Sequence, residues 1–268
     1  MDGDDLLTTT CPTLEEVDRA VAVLDRMGAP YRRIDPTPPL TRVALPALVV
    51  SREARARLAE CAPDLIFSGW IEHRTPAARM AEGSLPEARG ACFDRAAIMV
   101  LQPCVADETK IRLIAHLRGD LGPVLPYVNA VVSTASYVPA AETLTYLDGH
   151  RMITLFRHRI TIAKADEIVD GWLTLDGIRL LVEKTWAARD TIEPSYETRK
   201  RPPAVEIWKR LPGTNCGLCG ELTCMAFAVR LRAGKTHVRR CSPVFVPEQA
   251  ARRDALIQIC AGLGLSDE

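Results

Sequence analysis

The chain has 268 residues, 47% hydrophobic and 25% charged, and its 34 basic residues balance 34 acidic ones. This composition supports a packed core and excludes general disorder, while zero net charge excludes a bulk attraction to nucleic acid or membrane. No apolar run reaches the roughly 18 residues of a spanning helix, and the acidic start MDGDDLLTTT lacks a secretory h-region, so the expected location is the cytoplasm.

In chain order, LLTTTC reads as a short strand. Thr13 is placed to cap the helix LEEVDRAVAVLDRM, with Glu16 at the capping-box position and Gly28 as the stop. YRRID is extended, PTPP is a rigid loop, ALVVS is an apolar strand, REARARLAEC a short helix and IFSGWIEHR a closing strand. The order βαββαβ over residues 1–75 predicts a small ferredoxin-like α+β sandwich. Residues 76–91 read as a linker. AAIMVLQPC is a buried-type strand, and DETKIRLIAHLRGDL reads as an amphipathic helix. TLTYLDGHRMITLFRHRITIAKA is a three-stranded meander, with DGH as its first turn. DEIVDGWLTLDGIRLLVEKTWAARD is a long helix, with Ile168, Trp172, Leu175, Leu180, Leu181 and Trp186 in rough helical period. Residues 92–192 thus form a second α+β unit, 193–203 a polar linker, and 204–268 a small, mainly helical, cysteine-rich module. The expected fold class is α+β.

Nine cysteines, an odd count in a chain expected in a reducing compartment, argue for metal ligands and structural thiols over a disulfide framework. Four of them, Cys216, Cys219, Cys224 and Cys241, follow the pattern C-x2-C-x4-C-x16-C. Gly217 and Gly220 allow the left-handed turn that lets two cysteines face one centre. ELTCMAFAVRLRAG reads as a helix ended by Gly234. Cys224 then lies in its first turn, where the helix dipole favours a thiolate. Both zinc and an iron–sulfur cluster accept four thiolates. The offset third cysteine and isolated fourth suit a cluster, which is larger than one ion.

The stretch LPGTNCGLCGELTCMAFAVRLRAGKTHVRRC, residues 211–241, resembles the four-iron cluster domain of the corrinoid iron–sulfur protein large subunit and of the Rnf complex B subunit. The likeness rests on the Leu-Pro-x-x-Asn-Cys-Gly lead, the second Cys-Gly step, CMAFA and the closing C-x-P. It implies one [4Fe-4S] cluster held by Cys216, Cys219, Cys224 and Cys241. The chain as a whole resembles uncharacterised (Fe-S)-binding proteins of anaerobes and nitrogen fixers, through ITIAKADE and EPSYETRKRPPAVEIWKRLPGTNCG. The first unit is similar to sulfur or selenium carrier-like domains but lacks their cysteine-glycine step. These resemblances imply an electron carrier or accessory subunit, with a redox protein or metalloenzyme, corrinoid- or nitrogenase-related, as its partner. The alternatives are a cluster-assembly or sulfur-transfer factor and a zinc-stabilised interaction module.

Ten Lys or Arg against two Glu lie between Arg199 and Cys241. Such an excess can offset cluster charge and steer an acidic partner, or it can be a solvated face. Aromatic residues do not interleave with it, so nucleic acid is not an expected partner. Cys11, Cys61, Cys92, Cys104 and Cys260 lack ligand spacing and read as buried thiols, with Cys92 and Cys104 as the one pair to check for a second site. The five histidines form no metal motif. Asp166, Glu167 and Asp170 read as a helix N-terminal acid cluster, and Trp172, Trp186 and Trp208 as core. No nucleotide-binding or hydrolase motif occurs, and no catalytic residue is assigned.

Overall fold

The computed structural model describes residues 5–80, 82–84, 90–105, 107–199 and 202–261, so both expected linkers and the C-terminal tail fall partly outside them. The first unit runs β1 (Leu6–Thr10), α1 (Leu14–Arg26), β2 (Tyr31–Ile34), β3 (Ala47–Ser51), α2 (Arg52–Cys61) and β4 (Gly69–Glu72). Its antiparallel sheet has the order β2-β3-β1-β4. α1 starts where the Thr13 hydroxyl accepts the Glu16 N–H at 3.2 Å. Glu16 does not close a capping box. Its carboxylate accepts the Ile66 N–H at 3.0 Å and pairs with Arg19, tying the helix to the segment before β4. Val17, Ala20, Val23 and Leu24 form the buried stripe.

The second unit contains β5 (Arg95–Cys104), β6 (Asp107–Arg118), α3 (Leu125–Val131), β7 (Ser136–Val138), β8 (Thr143–Asp148), β9 (Arg151–Leu155), β10 (Arg159–Ala165) and α4 (Ile168–Ala187). The sheet order is β5-β6-β10-β9-β8-β7, all antiparallel, and the expected meander is β8–β10. Residues 107–118 are a strand, not the helix expected. Ile111, Leu113, Ala115 and Leu117 are buried in strict alternation with exposed or half-buried neighbours, which is period 2 rather than 3.6. α3 and β7 had no counterpart in the sequence reading.

α4 lies on the sheet with Ile168, Trp172, Leu175, Ile178 and Val182 inward, whereas Leu180, read as part of the stripe, faces solvent. Its N-terminal acids behave as capping chemistry predicts. Glu167 is buried and accepts the Val169 and Asp170 N–H groups at 2.6 and 3.0 Å; burial nevertheless raises its pKa. Asp170 pairs with Arg151, through Nε at 3.0 Å.

The two sheets share a core. Leu40, Val43, Ala44 and Ile71 of the first unit belong to the same apolar cluster as Phe93, Leu113 and Trp172. The Leu101 N–H donates to Ser68 O at 2.8 Å, and the Ser68 hydroxyl donates to Ile98 O at 2.6 Å. Residues 195–199 are strapped down rather than loose. Asn129 Nδ2 donates to Ser195 O and Glu197 O, the Thr198 hydroxyl donates to Tyr137 O, and Arg199 donates to Val132 O and Ala135 O. Arg199 therefore belongs to this strap and not to a free basic face.

The third unit, α5 (Ala204–Trp208), α6 (Cys224–Arg232) and α7 (Ala250–Ala261), is mainly helical and has its own core around Ile207, Phe227, Leu231, Val244 and Leu256. Among the described residues no helix is long and apolar enough to cross a membrane.

Candidate metal centre

The third unit is built around its cysteines. After Leu211 the chain takes left-handed backbone at Gly213 (φ +76°), Asn215 (φ +48°), Gly217 (φ +73°) and Gly220 (φ +87°). These four positions coil eight residues into a hook, closed by the Gly220 N–H donating to Gly217 O at 2.9 Å. Coiled backbone of this kind suits negative charge, because its amides can be turned toward an anion. The Leu218 N–H and the Thr214 hydroxyl both donate to the Cys216 sulfur, and the Cys216 pKa is lowered in consequence.

Behind the hook, α6 begins at Cys224. The Thr223 hydroxyl accepts the Ala226 N–H at 3.0 Å, and Asn215 Oδ1 accepts the Cys224 N–H at 2.8 Å. The side chain of the hook thus caps the helix that carries the third thiol, and Cys224 sits at the positive end of that helix. Loss of the Thr223 hydroxyl in Thr223→Ala is expected to cost about 1 kcal/mol. A lower denaturant midpoint for exposure of the module's thiols to a thiol reagent would show it.

Cys241 returns at the end of a short 3-10 turn, Val238–Arg240, with its N–H donating to Val238 O at 3.0 Å. Burial pushes the Cys241 thiol up to about 11, and the other three sulfurs add to the shift, so the four sense one another's charge. All four line one pocket, with Phe227 and Pro243 as apolar walls. Cys224 and Cys241 are buried, Cys219 is half-buried and Cys216 is exposed, so one edge of the pocket faces solvent.

Among the described residues no group of three or more His, Cys, Asp or Glu is drawn close enough to hold a metal ion. A zinc ion, with Zn–S bonds of about 2.3 Å, would require the sulfurs to gather around one point. A multi-iron group accepts thiolates spread around a larger body. Soft thiol donors, amides aimed at sulfur and apolar walls fit such a group.

The other candidates stay apart. None of the nine cysteines is in a disulfide. Cys11, Cys92, Cys104 and Cys260 are buried as expected, and Cys11 is pushed up to about 12 by burial with Glu16 nearby. Cys61, expected to be buried, is exposed on α2. Cys92 precedes β5 and Cys104 ends it. That strand of ten residues, at about 3.3 Å each, separates them far beyond any shared site. His73 bonds Thr8 Oγ1 at 2.8 Å and His158 bonds Gly119 O at 2.6 Å, both as ordinary structural partners. Trp172 is core, whereas Trp208 is 39% exposed, contrary to expectation. Asn215 and Thr214 carry roles that spacing arguments did not assign. An asparagine before Cys-Gly, the non-glycine residue most tolerant of left-handed backbone, was the available signal.

Comparison with known proteins locates the similarity in this same segment. Residues 211–243 match the family described as "Putative Fe-S cluster". The gamma subunit of the acetyl-CoA decarbonylase/synthase complex of Methanosarcina acetivorans is 49% identical over 51 residues, 18% of this chain and 10% of that protein. The corrinoid/iron-sulfur protein large subunit of Moorella thermoacetica is 46% identical over 52 residues, 19% of this chain and 11% of that protein. The corresponding gamma subunit of Methanocaldococcus jannaschii is 33% identical over 60 residues, 22% of this chain and 12% of that protein. The chain thus spans about a tenth of the length of the curated relatives it matches. No solved structure matches it. The third unit therefore contains a segment that matches the family described as "Putative Fe-S cluster" and is similar in sequence to parts of the three relatives named.

Proposed function

We propose that Cys216, Cys219, Cys224 and Cys241 hold one [4Fe-4S] cluster, and that the chain is a cytoplasmic electron carrier or accessory subunit of a partner metalloenzyme. The observation that carries this reading is the single pocket shared by the four thiols, in a segment of iron–sulfur type. When bound, such a cluster supplies one-electron chemistry. The chain's own residues do the rest. Asn215 fixes Cys224 against the hook, the Leu218 amide and Thr214 hydroxyl stabilise charge on the Cys216 sulfur, and Phe227 and Pro243 keep water from the inner side. Hydrogen bonds to sulfur and nearby cations raise a reduction potential. Residues 1–75 and 92–192 form the scaffold that presents the module at 204–268. The relatives' membership of multi-subunit assemblies, stated in their names, supports a protein partner.

A reversible one-electron reduction of the anaerobically purified chain supports the carrier. Transfer of the cluster to an apo-acceptor, with bleaching of this chain, would instead assign it to cofactor assembly; the exposed Cys216 edge is the route by which a cluster would leave. Cluster binding also supplies folding energy to a small site. Anaerobic removal of iron by a chelator is expected to open residues 204–261 to limited proteolysis while both sheets stay resistant. Cleavage spread across the sheets would contradict that independence.

A further inference from the structure

A mid-helix glycine helps to open a cleft in the second unit, apart in sequence from the cysteine module. On α4, Asp170, Leu173, Thr174, Gly177, Ile178 and Leu181 follow the three-and-four spacing of one helical stripe. Opposite them, on β8 and β9, Tyr146 pairs with Ile153 and Asp148 with Arg151, all on one side of the sheet. These side chains line a cavity of about 390 Å³, within the roughly 300–1,000 Å³ of small-molecule sites. A Cβ added at Gly177 would meet nothing within 4 Å. Glycine weakens a helix interior, and no close neighbour demands it here; its missing side chain leaves the cleft unfilled.

The walls divide by chemistry. Ile153 and Ile178 are buried, Leu173 and Leu181 half-buried, and they make the apolar side. The polar side sets one guanidinium, Arg151, against the carboxylates of Asp148 and Asp170. Asp170 is saturated: it accepts Arg151 Nε at 3.0 Å and the Asp166 N–H at 2.8 Å. Asp148, exposed at the lip, acts on Arg151 at a distance but makes no ion pair among the described residues. Tyr146 is 6% exposed, and its hydroxyl has no hydrogen-bond partner among the described residues. Burial, with Asp148 adding to it, holds the Tyr146 phenol above its ordinary pKa, so it stays neutral and can donate or accept. Buried polar groups are normally matched, and an occupant of the cavity would match this one.

We propose that the cleft between α4 and the β8–β9 hairpin binds a small organic ammonium ion, its charge at Asp148 and Tyr146 and its apolar body against Leu173, Ile178 and Leu181. The ammonium donates to the Asp148 carboxylate and to the Tyr146 hydroxyl oxygen. Pairing with Asp170 blunts repulsion from Arg151. An anion would meet Asp148 as a like charge, and a neutral molecule would forgo the charge-assisted hydrogen bond. The site does not depend on the cluster, since every lining residue lies between positions 146 and 181.

The test titrates the full chain, purified anaerobically, by calorimetry at low salt. The probe is 2-phenylethylamine, with 2-phenylethanol and phenylacetate as neutral and anionic counterparts of like size. The amine is expected to bind saturably at one site per chain, about fivefold or more tighter than either counterpart. Asp148→Asn is expected to remove that preference. Gly177→Leu, which fills the cleft while improving helix propensity, is expected to weaken the amine about tenfold or more without lowering the melting temperature. Because Asp148 is exposed, its variant keeps the fold and carries the test even where the leucine disturbs α4. No saturable binding of the amine to wild type would overturn the proposal. So would equal affinity for the three probes, or an amine affinity unchanged in both variants.

Discussion

Cys224→Ser is expected to abolish cluster binding, with iron per chain and visible absorption both falling about tenfold or more, since a cluster needs its full thiolate set. The position is one of the two buried ones of the four. Cys224 is 8% exposed, opens α6, and has its amide held by Asn215. Serine keeps the size and the helix start but offers a hard, poorly acidic donor at the inner wall of the pocket. Cys61→Ser is the matched control, because Cys61 is exposed on α2, in the first unit. Full iron retention in Cys224→Ser, with loss in Cys61→Ser, would invert the assignment.

Gly69→Ala is expected to have the largest effect on the scaffold. Gly69 has φ +137°, and a Cβ there would lie 1.9 Å from the Leu101 carbonyl oxygen. That oxygen is backbone, in the strand that joins the two sheets, and cannot swing aside. Gly69 O also accepts the buried Thr9 hydroxyl at 2.6 Å. Strain of about 1–3 kcal/mol from the backbone angle adds to about 1–3 kcal/mol of overpacking. At roughly 2–4 °C per kcal/mol for a domain of this size, thermal unfolding should shift down by about 5–20 °C. Gly28→Ala separates the two causes. Its φ is +59° with nothing within 4 Å of an added Cβ, so only the backbone cost of about 1–2 kcal/mol applies. Equal shifts for the two variants would show that the close approach of β4 to β5 is not holding the sheets together.

That Cys216, Cys219, Cys224 and Cys241 come to line one pocket was legible in the sequence because the information is local. The four cysteines, Gly217, Gly220 and the helix behind them lie between positions 216 and 241, and the chemistry of thiolate ligation constrains spacing directly. The first unit was legible for a related reason: Thr13 and Ser51 cap their helices, Gly28 stops one, and the apolar runs between them are short and distinct. β6 was not. Ile111, Ile114 and Leu117 satisfy a three-residue helical step while Ile111, Leu113, Ala115 and Leu117 satisfy a two-residue one. Only pairing with β5 and β10 decides between them. The shared core of the two sheets and the strap at 195–199 depend on contacts far apart in sequence, such as Ser68 with Ile98 and Asn129 with Ser195, which no local pattern encodes. Cys61 and Trp208 were misjudged because residue type alone carries no record of which side of a short helix meets a neighbour.

Iron and acid-labile sulfide, quantified per chain in material kept free of oxygen and followed by EPR after reduction with dithionite, test the central claim most directly. About four irons and four sulfides per chain, with a paramagnetic signal on uptake of one electron, are the expected result. A colourless chain carrying stoichiometric zinc, or no metal at all, would contradict it.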